Sequence, residues 1–188
     1  MVTTTTKAKP LTYADLLKTP KDDGNRYEIL AGELVVSASP SKRHAWMSFQ
    51  FARKLADHVE KHGLGVVFHS PVDVRLSRND VVVPDVIFLS TDRVHLYGEQ
   101  YVDGAPDLVV EVLSRSTRSR DLTAKLRLYA QAGVQEYWLI DPDLGEITLY
   151  FRLPSGTYEV VGGNSDRARS RILFDFEVTT AELVEGLL

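Results

Sequence analysis

The chain has 188 residues, of which 44% are hydrophobic, and its formal net charge is −4. This composition predicts one globular domain with a sizeable core, excludes an intrinsically disordered protein, and disfavours binding to long duplexes by charge alone. No apolar run approaches the roughly 20 residues of a membrane helix, and the N-terminus lacks the apolar segment of a secretory signal. The chain has no cysteine, which excludes thiolate metal sites and favours a cytoplasmic protein whose metal ligands are oxygen or imidazole.

The first third of the chain is predicted to contain a lead-in, a short helix, a hairpin and a long helix. Residues 1–10 carry a threonine run and are expected to be disordered, ahead of a single domain over residues 11–188. A short helix is predicted at 12–17, and a β-hairpin at 26–30 and 33–37, where Gly32 supplies the turn. The long helix is predicted at 41–62, with a core-facing stripe formed by Ala45, Trp46, Phe49, Ala52, Leu55, Ala56 and Val59.

Strands dominate the middle of the chain. They are predicted at 66–68, 72–76, 81–89 and 107–113, and Pro84 indicates that the third of them lies at an edge or carries a bulge. A helix follows at 117–132, and its buried stripe is predicted to be Leu122, Leu126, Tyr129 and Ala130. It leads into a buried strand at 136–140, so it is predicted to be the crossover between two neighbouring parallel strands.

The C-terminal part is predicted to add a hairpin at 146–151 and 158–161, a strand at 172–174 and a closing helix at 180–188. The resulting fold class is α/β (α+β). It consists of a mixed sheet flanked by helices, with an extra N-terminal hairpin and C-terminal strands.

Two carboxylates stand inside apolar strand sequence, and they are the first candidates for chemistry. Asp85 and Glu111 are each surrounded by Val, Ile and Leu, where an ionised carboxylate is costly unless it is paired or binds a metal. If their strands are neighbours, the two side chains meet and are suited to Mg²⁺ or Mn²⁺, with the carbonyl of Val112 as a further ligand. The alternatives are a turn-capping role for Asp85 and an ion pair with a helix arginine for Glu111.

Basic residues follow the second acid. Lys125 lies four positions after Asp121, on the same side of the predicted helix, and is suited to stabilising charge beside an attacking water. The alternative is a simple surface pair of Asp121 with Lys125. Arg115 and Arg118 belong to a run of five basic residues between positions 115 and 127. They are predicted to contact phosphates, unless the run is only a solvated helix face.

Lys42 and His44 stand in the first turn of the predicted long helix. Lys42 is a candidate contact to nucleic acid. His44 is either a surface residue or a side chain that reaches into the site.

Several segments together resemble the Uma (Uma-two) family of endonucleases, in the PD-(D/E)xK, restriction-endonuclease-like superfamily. They are residues 27–35, 39–41 with His44, 83–86, 107–114 and 133–141, together with Asp121, Lys125 and Tyr129. The resemblance implies an αβββαβ core and a magnesium-dependent nuclease site in which Asp85 and Glu111 bind the metal. It also implies DNA as the substrate and, by analogy with other nucleases, a homodimer.

One departure from the superfamily pattern concerns the lysine, which is expected two residues after the glutamate, where this chain has Leu113. Lys125 resembles a migrated replacement. Glu28 matches a family position and, with His44 and Asp121, is predicted to support the ligands. The leading hypothesis is therefore a metal-dependent endonuclease. The alternative is a non-catalytic nucleic-acid-binding module that retains the nuclease fold.

Overall fold

The structure is a computed structural model, which describes residues 9–163 and 165–187. Most of the expected lead-in at 1–10 lies outside these ranges. The helices are α1 (Tyr13–Leu16), α2 (Lys42–His62), α3 (Arg118–Arg120), α4 (Leu126–Ala132) and α5 (Thr180–Val184), with a 3₁₀ turn at Thr91–Leu96 and a π turn at Asp121–Lys125. None of the helices in the described ranges is long and apolar enough to cross a membrane.

Thirteen short strands among the described residues form three sheets. They are β1 (Asn25–Leu30), β2 (Glu33–Ala38), β3 (Gly65–His69), β4 (Val74–Ser77), β5 (Asp80–Val82), β6 (Val86–Ser90), β7 (Val102–Asp103), β8 (Leu108–Val112), β9 (Glu136–Asp141), β10 (Glu146–Arg152), β11 (Tyr158–Val160), β12 (Arg167–Arg169) and β13 (Glu177–Thr179). The six-stranded sheet has the order β11-β10-β9-β8-β6-β3, and the five-stranded sheet the order β2-β1-β5-β4-β7. β12 and β13 pair with each other.

The mixed six-stranded sheet carries the core, as the sequence predicted. β8 and β9 pair in parallel and are joined through α3, the π turn and α4, whereas β6 pairs antiparallel with β8. One face of this sheet packs against α2 through an apolar cluster that includes Phe51 and Trp138. The other face packs against α4 through a second cluster that includes Leu139 and Tyr129. The predicted fold of mixed sheet and flanking helices is confirmed.

The predicted single strand at 81–89 is wrong, because the chain changes sheet in its middle. Residues 80–82 form β5 of the five-stranded sheet, and residues 86–90 form β6 of the six-stranded sheet. Pro84 has no backbone N–H to donate to a ladder, so neither sheet continues through it. Asp85 therefore lies at the joint between the two sheets.

The predicted core-facing stripe of α2 is confirmed at Ala52, Leu55 and Val59, but it differs in the first turns of the helix. Phe49 is 48% exposed and Ala45 is exposed, whereas Met47 and Phe51 are fully buried. The inward face also buries the polar residues His44, Ser48 and Gln50. The apolar periodicity predicted the wrong side of the first turns of α2, because several of the side chains buried there are polar. Ser41 caps the helix by accepting the backbone N–H of His44.

The crossover helix differs from its prediction in a similar way. Its first full turn widens into a π turn, and the buried residues there are Asp121 and Lys125, while Leu122 is 37% exposed. The hairpin of β10 and β11 is confirmed. The strand predicted at 172–174 is wrong, because that segment forms turns between β12 and β13. The closing helix is present, but it spans only Thr180–Val184.

Candidate active site

Asp85 and Glu111 come together at the same end of neighbouring strands. The antiparallel register pairs Val86 with Val110, so each acid stands one residue beyond this pair. The regular pairing of β6 with β8 ends at this point, and the backbone N–H of Asp85 donates to the carbonyl of Val110 at 3.1 Å. Oδ2 of Asp85 instead accepts the backbone N–H of Val112 at 2.8 Å. The carboxylate of Asp85 thus bridges the two strand ends.

Asp85 is buried among positive and polar partners. Nη2 of Arg26, on β1, lies 3.1 Å from Oδ1, and Nε2 of His44, in the first turn of α2, lies 3.1 Å from Oδ2. Burial alone would raise the pKa of Asp85. The contacts with His44, Arg26 and the Val112 N–H outweigh burial and hold that pKa below its ordinary value. Asp85 is therefore an ionised carboxylate inside the protein.

Glu111 has a different balance of partners. Its Oε1 accepts a hydrogen bond from Nζ of Lys125 at 2.8 Å and another from the hydroxyl of Tyr129 at 2.7 Å. Burial raises the pKa of Glu111 to about 8. Lys125 opposes the rise, and the neighbouring acids Asp121, Asp85 and Glu28 add to it. The ionised form of Glu111 is consequently disfavoured by burial and by the acids around it.

Lys125 is the central base of this cluster. Besides Glu111, its Nζ lies 2.9 Å from Oε1 of Glu28 and 3.7 Å from Oδ1 of Asp121. Burial by itself would lower the pKa of Lys125, but the three acids reverse this effect and raise the pKa above its ordinary value. The ammonium is thus a permanently charged group, and the alternative of a simple surface pair with Asp121 is wrong.

The backbone of the crossover helix explains how these groups converge. Asp121, Lys125 and Tyr129 recur every four residues, and the π turn between the first two keeps all three on the side that faces β8. π turns inside helices are rare and occur frequently at functional sites. Leu113, which stands where the superfamily has its lysine, packs in the apolar cluster on this face of the sheet.

A cavity of about 240 Å³ opens beside Glu111. Glu111, Lys125 and Arg115 line it, and so do several hydroxyl groups, namely those of Ser37, Ser39, Ser41, Ser114, Ser116 and Thr117. Arg118 does not line it and forms an ion pair with Asp141 instead. Lys42 is the first residue of α2 and does not line it either, whereas its neighbour Arg43 does.

The donor groups fit a hard divalent cation. The two hydrogen bonds to Glu111 both fall on Oε1, so Oε2 is left for a ligand bond. Asp85 uses three of the roughly four lone-pair positions of a carboxylate. In the described ranges, no three His, Asp or Glu side chains are grouped so as to hold an ion. Mg²⁺ does not need such a group, because it typically takes one or two carboxylates and keeps several waters.

Three residues of the site were missed by the sequence analysis as functional candidates. Arg26 contacts Asp85, Tyr129 donates to Glu111, and Arg120 lies 3.7 Å from Glu28. Two of them had a detectable signal. Arg26 precedes Glu28 by two residues on one strand, so the two share a face. Tyr129 follows Lys125 by one helical turn.

Comparisons with known proteins identify the family and the fold of the chain. The family model Uma2, described as "Putative restriction endonuclease", matches residues 13–181. The chain belongs to the Uma2 family. Two Synechocystis sp. proteins, both uncharacterized, are similar to this Uma2 chain. slr1290 is 28% identical over 72% of the chain and 71% of its own length, and sll1609 is 26% identical over 88% and 95%.

A solved structure shows that the fold is shared with a nuclease-like chain. It is a crystal structure from Anabaena variabilis, described as a "putative nuclease belonging to DUF820", with a TM-score of 0.73 and 20% identity. The match covers 93% of the Uma2 chain and 97% of the other chain. At this identity the likeness establishes the fold alone.

Proposed function

We propose that this Uma2 chain is a metal-dependent endonuclease that hydrolyses phosphodiester bonds of DNA. The observation that carries the proposal is the meeting of Asp85 and Glu111 at adjacent strand ends, with Lys125 at 2.8 Å from Glu111. Family membership and the nuclease-like fold support the same reaction class. Mg²⁺ or Mn²⁺ is the proposed cofactor, because all the donor groups at this point are hard oxygens.

The residues of the chain divide the work of the proposed reaction. Asp85, Glu111 and the carbonyl of Val112 would hold the cation, which supplies a water of lowered pKa and neutralises charge on the scissile phosphate. Lys125 is held as a fixed positive charge and stabilises negative charge that develops on the phosphate. It is not suited to be a base, because its pKa is raised rather than lowered. Arg115 lines the cavity and is the proposed contact to a neighbouring phosphate.

The test is a metal titration followed by a cleavage assay. We expect Mn²⁺ to bind the wild-type chain in calorimetry, and Mg²⁺ or Mn²⁺ to support cleavage of single-stranded and plasmid DNA that chelation stops. Asp85→Ala and Glu111→Ala are each expected to lose metal binding and to reduce cleavage by more than about a hundredfold. Glu99→Gln, which replaces an exposed loop acid, is the matched control. Undiminished cleavage by both site variants would refute the proposal.

A non-catalytic nucleic-acid-binding module is the second candidate. The observation that favours it is Leu113, which replaces the expected strand lysine and is buried in an apolar cluster. Such a module would bind DNA with a strong salt dependence and give no metal-dependent product. The same titration separates the two candidates. A homodimer and a cytoplasmic location stay predictions, which sedimentation of the purified chain and cell fractionation test.

A further inference from the structure

A second, larger cavity of about 650 Å³ lies on the other side of the candidate active site. Arg26, Ser39, Pro40 and His44 line both cavities, so they form a shared wall. Asp85, which is bonded to two of these residues, lines the larger cavity, whereas Glu111 lines the smaller one. A chain-like ligand that passes over this wall would therefore have parts of itself on both sides of the two acids.

The larger cavity differs from the smaller one in its chemistry. Its lining includes four flat or rigid rings, those of Tyr27, Pro40, His69 and Pro71. The ring of His69 is exposed, and the ring of Phe49 lies edge-on beside it at 6.2 Å between centroids. The smaller cavity, by contrast, is lined by hydroxyl and basic groups suited to phosphates.

Polar residues are numerous in the lining of the larger cavity, but several of their side chains are already paired within the protein, as Arg26 and His44 are with Asp85. Lys21 is exposed, and Ser48 hydrogen-bonds Nε2 of His69 at 3.1 Å. Asp73 is the second acid of the lining, and its carboxylate already accepts the hydroxyl of Tyr13 at 3.1 Å. The volume falls in the usual range of about 300–1,000 Å³ for ligand sites. Aromatic rings beside basic groups, here Tyr27 and His69 with Lys21 and Arg26, are the arrangement on which bases of unpaired strands stack.

We propose that this larger cavity holds an unpaired nucleobase next to the scissile phosphate, so that the substrate is DNA with unpaired nucleotides at the cleavage point. The inference rests on the proposed function and deepens it. A strand that crosses the shared wall places a phosphate beside Asp85 and Glu111 and the adjoining base among the rings. A base inside an intact duplex reaches such a cavity only if it leaves the stack. The acidic net charge of the chain disfavours binding to a long duplex by charge alone.

The test measures DNA binding and base environment with Glu111→Gln as the background, so that no cleavage interferes. The probes are a single-stranded oligonucleotide containing 2-aminopurine, the same strand with an abasic position, and its blunt duplex. We expect the single strand to bind more tightly than the duplex and the abasic strand. His69→Ala is expected to weaken single-strand binding about tenfold and to change the 2-aminopurine fluorescence, and Tyr27→Leu is expected to have the same effects. His69→Phe should retain binding, because it keeps a ring.

Phe174→Leu is the matched control, since Phe174 is 90% exposed and lies outside this cavity. Circular dichroism checks that each variant is folded. In His69→Ala, Ser48 keeps its hydrogen bond to the carbonyl of Ala45, so little structural change is expected. Equal binding of the abasic and intact strands, or unchanged binding by both ring variants, would overturn the inference.

Failure of this inference and failure of the proposed function give different results. Cleavage that needs Asp85 and Glu111 but proceeds equally on duplex DNA, with no effect of His69→Ala, supports the nuclease and overturns the base site. Ring-dependent binding of unpaired DNA without metal binding or cleavage supports the base site and overturns the nuclease.

Discussion

Two buried glutamates on paired strands differ in how many of their carboxylate lone pairs are hydrogen-bonded within the protein. Glu111 is the penultimate residue of β8, and Glu136 begins β9, on the opposite face of the same sheet. The carboxylate of Glu136 accepts four hydrogen bonds that occupy both oxygens, from the backbone N–H groups of Arg171 and Ile172, the hydroxyl of Ser170 and the indole N–H of Trp138. The described partners of Glu111, Lys125 and Tyr129, contact only Oε1.

The difference indicates a structural glutamate and a glutamate kept ready for a ligand. A carboxylate whose lone pairs are all used stabilises the segment that donates to it, here residues 170–172. Glu111 has an open oxygen with a cavity beside it, and its carboxylate is buried near three other acids, which makes it costly in the fold. Burial raises its pKa to about 8, so its ionised form is disfavoured until further positive charge arrives. Stability is commonly lower at functional sites for this reason.

Removal of the base from the Glu111 cluster is expected to have the largest effect on stability. Lys125→Met leaves Glu28, Glu111 and Asp121 without their shared cation in a buried position. We expect the free energy of unfolding to fall by about 3–5 kcal/mol. Urea unfolding of wild type and variant measures this change. The double variant Glu111→Gln/Lys125→Met should recover part of the loss, and a double variant no more stable than the single one would contradict the assignment.

Exchanging carboxylate for amide at each glutamate tests the comparison directly. Glu136→Gln should lower the free energy of unfolding by about 1–3 kcal/mol, because an amide nitrogen cannot accept the hydrogen bonds of the donors that face it. Mn²⁺ affinity should be unchanged in that variant.

Glu111→Gln should have the opposite effects, so that stability is kept and metal affinity is lost. Its amide oxygen still accepts from Lys125 and Tyr129, and the amide removes the cost of burying a group that would be ionised in the unfolded chain. We expect unchanged stability or a gain of up to about 2 kcal/mol, with loss of metal binding. If both variants lost the same stability and the same affinity, the distinction between the two sites would not hold.

The hydroxyl group of Tyr129 tests whether the orientation of Glu111 matters for metal binding. Tyr129→Phe removes the donor at 2.7 Å without changing the packing of the ring. Groups that orient a metal ligand typically contribute about 10- to 100-fold to metal affinity or activity. We expect a fall at the lower end of that range, measured by titration and by cleavage rate. Tyr150→Phe is a suitable control, because Tyr150 packs in the same apolar cluster without contacting Glu111.

The smallest expected effects concern two arginines of the turn that follows β8. Arg115 lines the cavity, so Arg115→Ala should weaken DNA binding and reduce its logarithmic salt dependence by about one. Arg118 pairs with Asp141 and lines another part of the surface. Arg118→Ala should therefore change DNA binding less than Arg115→Ala. Binding isotherms at several salt concentrations compare the two, and a larger effect at Arg118 would contradict the assigned positions.

The sequence was sufficient to predict the order of the main elements and the neighbouring positions of two acids. Long apolar runs such as that around Glu111 are unambiguous, because a strand buried on both faces has no polar alternation. The hairpin turn at Gly32 and the parallel pairing of β8 with β9 followed from local rules and chain connectivity.

The errors fell where polar residues face inward. The buried stripe of the crossover helix contains Asp121 and Lys125 rather than Leu122, because ion pairing offsets their burial. His44 is buried in α2 for the same reason, as it contacts Asp85. Hydrophobic periodicity cannot detect such pairs, since the partners come from segments that are distant in sequence. The change of sheet at Pro84 was likewise hidden, because both halves of the run are apolar.

Hydrogen bonds at Val83, beside the change of sheet, connect the N-terminal hairpin to the candidate active site. Two residues of β1 bind the backbone of Val83. Glu28 accepts its N–H at 2.9 Å, and Arg26 donates to its carbonyl at 3.1 Å. Arg26 then reaches onward to Asp85. Any sliding of one sheet relative to the other would pull on that acid through these bonds. A chain without the hairpin would thus lose the contact of Asp85 with Arg26 and keep only those with His44 and the Val112 N–H.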